Sequence, residues 1–285
     1  MLNFFKKAKK ADRNLSINEK KGGRPQFHTL RVSEITRETE DCVSVAFEVP
    51  DSLSEDYRFV PGQYLTLETE IKGEKVRRSY SLCSSPFDGE LRVAIKEVEG
   101  GQFSTFANRE LTVGTEMRVM TPDGNFIAPI KAEVENHYVG FAAGSGITPV
   151  FSILKSVLEQ EPKSTFTLFY GNKTAKSVIF KEQIEALKNT HMNRLEVHHV
   201  LSREDQGTDY LKGRIDAIKC GQFADRFFDL KEVNGYFLCG PEGMINDVSN
   251  QLKDLGVAKE LIHYELFTSP AQSIAGKTKV SSSEN

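Results

Sequence analysis

The sequence predicts two unlike domains, an antiparallel β-barrel followed by an α/β domain with a parallel sheet. Three observations support this fold class. At 285 residues, the chain is longer than most single domains. Short segments in which apolar and polar residues alternate, as in antiparallel strands, run from Phe27 to Ile130. After Pro129 the pattern changes to strand, helix, strand, which favours a parallel sheet with covering helices.

Alternation and turn chemistry define the first half of the chain. Apolar or β-branched residues occupy every second position in segments 43–49, 65–71 and 91–95. Turn-forming sequences separate such segments, namely Pro61-Gly62, Lys72-Gly73, Asp88-Gly89, Gly100-Gly101 and Pro122-Asp123-Gly124. This spacing fits a barrel or a sandwich that is interrupted by one helix near residues 103–111.

The second half alternates strands with helices. Strands are predicted at 138–142, 165–170, 195–201 and 236–238, and helices near 148–159, 180–189 and 242–255. The domain boundary is therefore expected between residues 130 and 136, with a first domain over 25–130 and a second over 136–267. Residues 1–24 are basic and poor in apolar side chains, so we expect a disordered leader. Residues 268–285 are rich in Ser and Lys, which predicts a polar tail or linker.

Composition argues against several classes of function. The formal net charge is −3 and the sequence pI ≈ 6.1, so no overall attraction to nucleic acid is expected. No apolar run approaches the ~20 residues that span a bilayer, and the apolar start at residues 1–5 is too short for a signal peptide. Phe4 and Phe5 could at most lead a membrane-surface anchor.

The cysteines give no metal signature. They stand at positions 42, 83, 220 and 239, too far apart for a zinc knuckle, a CxxC redox pair or an iron–sulfur loop. No metal site is predicted. With this cysteine usage and no secretion signal, we expect a cytoplasmic chain with reduced thiols.

The segment Val76–Leu82 combines a cation, an aromatic ring and hydroxyl groups on one predicted strand. Arg78 and Tyr80 would face one way, and Ser79 and Ser81 the other. A cofactor that is both anionic and flat, such as a flavin dinucleotide, matches this set of side chains. Exposed polar residues on an ordinary strand are the alternative interpretation.

Gly144, Gly146 and Thr148 lie between a predicted strand and a predicted helix. Glycines at such a junction let the backbone approach a ligand, and the helix start offers N–H groups and positive dipole to a pyrophosphate. Pro149 stands where the common dinucleotide fingerprint has a third glycine, although proline is favourable in a first helical turn. An ordinary glycine turn is the alternative.

Two further segments end strands at the edge where ligands of parallel sheets gather. Ser202 and Arg203 place a hydroxyl beside a guanidinium, which suits a ribose phosphate and favours NADPH over NADH, although Glu204 argues the other way. Cys239 precedes Gly240-Pro241, and this small thiol leaves room for a ring to lie against the backbone. A plain solvated arginine and a buried structural cysteine are the alternatives.

A last segment, His263–Phe267, is predicted to be a strand near the end of the domain. Glu265 and Phe267 share one face of it. A carboxylate and an aromatic ring two residues apart could flank a flavin, with the acid near its proton-exchanging edge. An amphipathic edge strand would have the same pattern.

Taken in order, these segments resemble the ferredoxin–NADP reductase superfamily over about residues 27–267. The resemblance implies an FAD-binding barrel, an NADP-binding second domain and a flavin between them. It also implies hydride transfer from NADPH to FAD, then single-electron release to a protein acceptor, either a ferredoxin, a flavodoxin or an oxygenase component. Within the superfamily, the similarity is greatest to bacterial reductase subunits of oxygenases. Three sequence segments carry it, namely Arg-Ser-Tyr-Ser-Leu-Cys-Ser, Leu-Phe-Tyr-Gly-Asn and His-Tyr-Glu-Leu-Phe.

The resemblance assigns flavin contacts to the first domain and to the last strand. Arg78, with Ser79 next to it, would bind the flavin pyrophosphate, Tyr80 would lie against the isoalloxazine, and Ser81 would hydrogen-bond the hydride-accepting nitrogen. A second phosphate contact, through backbone N–H groups and one hydroxyl, would come from Gly101, Gln102, Phe103 and Ser104. Phe267 would shield the flavin.

The resemblance assigns NADP contacts to the second domain. The pyrophosphate would meet Gly144, Gly146 and Thr148, and the ribose phosphate would meet Ser202 and Arg203. Cys239 would lie beside the nicotinamide. The predicted catalytic group is Ser81, Cys239 and Glu265.

The chain departs from its relatives after Phe267. Many of them continue into a [2Fe–2S] ferredoxin domain, whereas here 18 residues without cysteine follow. Either the cluster resides on a separate partner or the chain is a shortened form of a longer reductase. Reduction of free flavin or small acceptors, and nucleotide binding without turnover, are the rival functions.

Overall fold

The computed structural model describes residues 25–267, which form two sheets of different kind. The predicted disordered leader (1–24) and polar tail (268–285) lie outside the described residues. No helix within residues 25–267 is long and apolar enough to cross a membrane. The sequence-based fold class, a barrel followed by an α/β domain, is confirmed.

The first sheet is antiparallel and six-stranded. Its strands are β1 (Phe27–Thr39), β2 (Cys42–Glu48), β3 (Tyr64–Ile71), β4 (Glu74–Ser81), β5 (Leu91–Lys96) and β6 (Glu116–Met120), and the helix α1 (Gln102–Arg109) lies between β5 and β6. The strand order is β4-β3-β6-β1-β2-β5, and the two edge strands meet through a bridge between Leu82 and Val93. This bridge closes the sheet into a barrel rather than a sandwich.

The alternating residues fill the barrel as predicted. Val43, Val45 and Phe47 of β2 share one buried cluster with apolar residues of the other strands and with Phe103 of α1. The period of two therefore places one face of each strand in the core. Helix α1 covers one end of that core.

The second sheet is parallel and five-stranded. Its strands are β7 (His137–Ala143), β8 (Thr165–Asn172), β9 (Leu195–Leu201), β10 (Val233–Gly240) and β11 (Ile262–Leu266), in the order β11-β10-β7-β8-β9. The helices are α2 (Ile147–Gln160), α3 (Lys181–Thr190), α4 (Ala217–Phe227) and α5 (Glu242–Asp254). Two apolar clusters cover the two faces of this sheet, one beneath α2 and α3 and the other beneath α4 and α5.

The structure adds helix α4, which was not predicted from the sequence. Cys220, Phe223 and Ala224 of this helix are buried, which is the spacing of one helical face. Gly221 and the polar residues around it obscure the pattern, while Asp216 caps the helix start by accepting from the backbone N–H of Lys219 at 2.9 Å. Strands β8 and β10 also extend beyond their predicted ends, because the small and polar residues at those ends are held by parallel neighbours.

Helix α2 packs against the barrel through hydroxyl groups. Its Ser152 donates to the Ser84 carbonyl at 2.6 Å, and its Ser156 hydroxyl lies 3.2 Å from that of Ser85. All four serines are fully buried, and an ion pair between Lys155 and Asp88 lies at the rim of this contact. These buried hydrogen bonds fix the second sheet relative to the barrel.

Gly62, in the Pro61-Gly62 turn, is required by a close approach between chain segments. Its φ is +96°, and a Cβ at this position would lie 1.8 Å from the Phe126 carbonyl oxygen. Gly73 offers a matched comparison, because its φ is +80° while an added Cβ would have no atom within 4 Å. Both glycines occupy conformations that L-residues rarely adopt.

We expect Gly62→Ala to lower the free energy of unfolding by about 2–5 kcal/mol, because steric overlap adds to backbone strain. Gly73→Ala should cost about 1–2 kcal/mol, from strain alone. Thermal melts of the two variants measure the difference. Equal melting temperatures would show that the Phe126 carbonyl imposes no constraint.

Candidate functional site

Strand β4 places its side chains on two faces, as the alternation predicts. Tyr80 packs on Phe103 with ring centroids 5.5 Å apart, on the side of the barrel core. On the opposite side, the Ser79 hydroxyl lies 2.9 Å from that of Thr66, and Ser81 is buried. The half-buried Tyr80 ring thus has a fixed support beneath it.

Arg78 and helix α1 both neighbour Tyr80, because Arg78 is two residues away on β4 and Phe103 of α1 packs on the Tyr80 ring. Helix α1 contacts β4, and it begins at Gln102 after Gly101. No carboxylate within residues 25–267 pairs with the Arg78 guanidinium, which donates instead to the adjacent Arg77 carbonyl at 2.7 Å. A helix start leaves its first N–H groups without intrahelical acceptors. An unpaired guanidinium and free N–H groups fit a pyrophosphate.

Two side chains of segment 101–104, those of Phe103 and Ser104, are buried and contact the protein itself. The Ser104 hydroxyl is buried, donates to the Gly101 carbonyl at 3.2 Å and accepts from the Val98 N–H at 3.2 Å. A Cβ on Gly101 would lie 2.4 Å from that hydroxyl. Phe103 is 1% exposed in the barrel core, whereas Gln102 is exposed. The predicted phosphate contact therefore depends on backbone N–H groups more than on the Ser104 hydroxyl.

One hydrogen bond joins β4 of the barrel to β11 of the second sheet. The Ser81 hydroxyl donates to Oε2 of Glu265 at 2.9 Å, across 184 positions of sequence. Burial raises the pKa of Glu265 to about 7, and the Ser81 hydrogen bond opposes that rise. This carboxyl can therefore hold or release a proton near neutral pH.

Cys239 lies next to this pair. It is opposite Glu265 in the parallel register of β10 and β11, and its side chain is 0% exposed. Burial, and secondarily the Glu265 charge, raises the pKa of the thiol well above its usual value. The thiol is therefore neutral. The structure brings Ser81, Cys239 and Glu265 together, and their catalytic role stays a prediction.

Phe267 directly follows β11 and is 40% exposed. It lies two residues beyond Glu265, at the carboxyl end of the sheet. Two shallow cavities, of about 300 Å³ beside Phe151 and about 320 Å³ beside Glu68, lie away from this place. Neither cavity is lined by Ser81, Cys239 or Glu265.

The Gly144-Ser145-Gly146 loop packs directly on the Cys239 segment. A Cβ on Gly146 would lie 2.1 Å from the Cys239 carbonyl oxygen, so this glycine serves a contact within the protein. Gly144 has φ of +54° with open space around it. The Thr148 hydroxyl is buried and donates to the Ser145 carbonyl at 3.0 Å. Thr148 therefore supports the loop, and its predicted phosphate contact stays a prediction.

Ser202 and Arg203 are exposed at the carboxyl end of β9. The Arg203 backbone N–H donates to the Lys173 carbonyl at 2.9 Å, which places a second exposed cation on the neighbouring segment. No acidic side chain of residues 25–267 forms an ion pair with Arg203. Glu204 is engaged elsewhere, since its carboxylate accepts from the Ala175 N–H at 3.0 Å.

Lys173 and Tyr170 also belong to this edge, although neither was predicted from the sequence. Tyr170 lies within β8 and Lys173 directly follows it, in and after the segment Leu168–Asn172 that carried part of the family resemblance. Tyr170 is fully buried, and its hydroxyl donates to the Gly144 carbonyl at 2.9 Å. The signal available was that this segment ends a strand at the ligand-binding edge of a parallel sheet.

Comparison with known families agrees with this architecture. A family model described as "Oxidoreductase FAD-binding domain" matches residues 29–127, and one described as "Oxidoreductase NAD-binding domain" matches residues 141–250. The first covers the barrel with Arg78 to Ser81, and the second covers the Gly144 loop and Cys239. Fold and site thus define a two-domain oxidoreductase that binds FAD and a nicotinamide nucleotide.

Individual relatives place the chain in one family. It is 40% identical over 256 residues to a component of the 1,2-phenylacetyl-CoA epoxidase of Escherichia coli K12, covering 90% of this chain and 72% of that protein. It is 35% identical over 242 residues to "3-ketosteroid-9-alpha-monooxygenase, ferredoxin reductase component" of Rhodococcus rhodochrous, covering 84% of this chain and 65% of that one. The chain belongs to the ferredoxin–NADP reductase family. It spans about two thirds of the length of several curated relatives it matches, 65% in the Rhodococcus case.

Solved structures show the same fold. The FAD/NAD-binding domain of nitric oxide dioxygenase from Vibrio cholerae matches with a TM-score of 0.71 and 27% identity, over 84% of this chain and 98% of that one. A ferredoxin NADP+ reductase from Neisseria gonorrhoeae, with bound FAD and NADP, matches with a TM-score of 0.70 and 20% identity, over 84% and 98%. The second likeness concerns the fold alone.

Glu265→Gln should remove a pH dependence of stability in flavin-free protein. The folded-state pKa of about 7 exceeds the usual 4.5, so between these values the folded protein binds more protons than the unfolded chain. The Glu265 contribution is therefore favourable below about pH 4.5 and is lost as the pH rises to about 7. From pH 5 to 8, the wild type should lose about 1–3 kcal/mol more stability than the variant. Parallel melting curves at all pH values would contradict the raised pKa.

Proposed function

We propose that this protein transfers hydride from NADPH to bound FAD and passes the electrons singly to an iron–sulfur or flavin protein. The observation that carries the proposal is the Ser81–Glu265 hydrogen bond at 2.9 Å, beside the buried Cys239. It joins the predicted flavin strand of one domain to the predicted nicotinamide edge of the other. The flavin supplies the conversion of one hydride into two separate electrons.

The barrel would hold the FAD. Arg78 and the N–H groups at the start of α1 would bind its pyrophosphate, and Ser79 belongs to the same strand. Tyr80 would lie against the ring, supported by Phe103 from below. Ser81 would hydrogen-bond the hydride-accepting nitrogen, and Phe267 would shield the ring until the nicotinamide enters.

The second domain would hold the nicotinamide nucleotide. The Gly144 loop and the start of α2 would receive the pyrophosphate, and Cys239 would lie against the nicotinamide. A neutral, buried thiol suits an uncharged ring, because it adds no charge and needs no counterion. Positioning two rings in contact is the protein's main contribution to hydride transfer.

Glu265 and Ser81 would manage the proton that accompanies reduction. A carboxyl with a pKa of about 7 can be protonated or ionised at neutral pH, and the Ser81 hydroxyl is within hydrogen-bond distance of it. A serine hydroxyl can accept one hydrogen bond while it donates another. The pair therefore offers a proton path from the half-buried Glu265 carboxyl to the flavin edge.

The preference for NADPH over NADH is inferred from charge at the end of β9. Arg203 and the neighbouring Lys173 are exposed and without ion pairs in the described residues, and Ser202 adds a hydroxyl. Glu204 carries the carboxylate that would favour NADH by binding free ribose hydroxyls, but this carboxylate accepts a hydrogen bond from the Ala175 N–H. A phosphate would therefore meet two unneutralised cations here.

The acceptor is proposed from the relatives. They include a component of an epoxidase and the ferredoxin reductase component of a monooxygenase. We infer that this chain likewise serves as the reductase of an oxygenase system and donates to a ferredoxin, flavodoxin or oxygenase component. The free thiols of all four cysteines are compatible with a cytoplasmic location, which we also propose.

Arg203→Gln should raise the KM for NADPH by about tenfold to a hundredfold and leave that for NADH unchanged, because a charge-assisted hydrogen bond to phosphate is lost. Arg226→Gln, on helix α4 of the same domain, is the matched control since Arg226 bonds to its own helix. Steady-state kinetics with both nucleotides provide the measurement. Equal changes in the two KM values would remove Arg203 from the phosphate site.

A second experiment tests the acceptor. We expect the FAD-loaded protein to reduce a ferredoxin or flavodoxin with NADPH faster than it reduces free riboflavin at equal concentration. Absorbance of each acceptor under anaerobic conditions measures both rates. Faster turnover with riboflavin would favour a reductase of free flavin, and flavin that NADPH cannot reduce would favour a binding module without turnover.

A further inference from the structure

Tyr170 lies beneath the Gly144 loop, in a place that neither the proposed flavin contacts nor the proposed nicotinamide contacts explain. Its side chain is 0% exposed, and its hydroxyl donates to the Gly144 carbonyl at 2.9 Å. The backbone N–H of Ile147 also points to that carbonyl. The Tyr170 hydroxyl and the Ile147 N–H therefore fix the carbonyl oxygen of Gly144, whose φ is +54°.

Because the peptide group is planar, fixing the Gly144 carbonyl also fixes the direction of the Ser145 N–H. In a trans peptide, the carbonyl of one residue and the N–H of the next point in opposite directions. Because Tyr170 and Ile147 hold the Gly144 oxygen towards the protein, the Ser145 N–H faces away from it. No hydrogen bond of residues 25–267 occupies that N–H.

We infer that Tyr170 is a positioning residue for the nicotinamide nucleotide, holding the Gly144 carbonyl inward so that the Ser145 N–H is presented to the pyrophosphate. The inference rests on the proposed function. Thr148 acts in the same way on the next peptide, since its hydroxyl holds the Ser145 carbonyl at 3.0 Å. The loop is thus preorganised by two buried hydroxyl groups, of which that of Tyr170 belongs to no predicted phosphate contact.

The neighbouring Asn172 lies on the same face of β8 as Tyr170. Burial raises the pKa of the Tyr170 hydroxyl, and the Asn172 amide opposes that rise. The Asn172 Nδ2 atom makes no hydrogen bond within residues 25–267. Tyr170 is therefore the side chain of this pair that holds the Gly144 carbonyl.

Tyr236 supplies a matched control on the same sheet. It is also 0% exposed, but its hydroxyl has no hydrogen-bond partner among the described residues. Tyr170→Phe and Tyr236→Phe each remove one buried hydroxyl and keep the ring. Tyr170→Phe removes the hydrogen bond to the Gly144 carbonyl, whereas Tyr236→Phe removes no hydrogen bond between described residues.

The test is calorimetric binding of NADP+ and of adenosine 2′-monophosphate to the FAD-loaded protein. The second probe carries the adenosine 2′-phosphate but lacks the nicotinamide and both phosphates of the pyrophosphate. We expect Tyr170→Phe to raise the Kd for NADP+ by about three- to tenfold, the loss of one buried hydrogen bond, with the Kd for the monophosphate unchanged. Tyr236→Phe should change neither constant. If Tyr170→Phe melts below the assay temperature, the titrations of all three proteins are repeated below its melting midpoint.

Three results would overturn the inference. These are wild-type affinity of Tyr170→Phe for NADP+, equal weakening of both probes, or the same loss in Tyr236→Phe. The proposed function fails differently, because a wild-type protein that binds no NADP+ contradicts it together with this inference. A wild type that binds NADP+ alongside an unaffected Tyr170→Phe variant contradicts the inference alone.

Discussion

The Ser81–Glu265 hydrogen bond depends on a contact between domains that each sheet alone could not provide. Ser81 ends a barrel strand, and Glu265 stands on the last strand of the parallel sheet. The buried serines of α2 and of the loop after β4 hold these two strands at hydrogen-bond distance. Cys42, Cys83 and Ala94 of the barrel also share one apolar cluster with α2. The site therefore requires this interface to remain intact.

Burial at that interface controls the chemistry of its side chains. The thiol of Cys239 stays neutral because it is fully buried, and the carboxyl of Glu265 titrates near neutral pH because it is half-buried. The cations of the site are less buried than Cys239 and lie at the surface, where a phosphate can reach them; they are Arg78, Arg203 and Lys173. Neutral groups would meet the rings and cations would meet the phosphates, which is the arrangement expected for flavin and nicotinamide dinucleotides.

Much of the fold follows from local signals in the sequence. The period-two pattern in β2, β3 and β5 and the strand–helix alternation after Pro129 predicted both sheets, because burial of one face imposes each period. Helix α4 was missed, since Gly221 interrupts an otherwise regular apolar spacing. Barrel closure through Leu82 and Val93 depends on the curl of the whole sheet, and no local pattern reports it.

The sequence predicted which segments supply candidate site residues, but not what those residues contact. The structure places Ser81 and Glu265 at hydrogen-bond distance with Cys239 beside them, and their role in catalysis stays a prediction. The sequence could not show that Thr148 supports its loop, that Gly146 makes room for the Cys239 carbonyl, or that Glu204 is bound to Ala175. Each of these depends on contacts between segments that are far apart in the chain, for which spacing carries no information.

The most direct test of the proposed electron transfer is an anaerobic titration of the purified protein with NADPH, followed by its absorption spectrum. We expect a flavin spectrum that is bleached by about one equivalent of NADPH, because one hydride reduces one flavin. A protein that binds flavin and NADPH but keeps its oxidised spectrum would contradict the claim that the two cofactors meet at Ser81, Cys239 and Glu265.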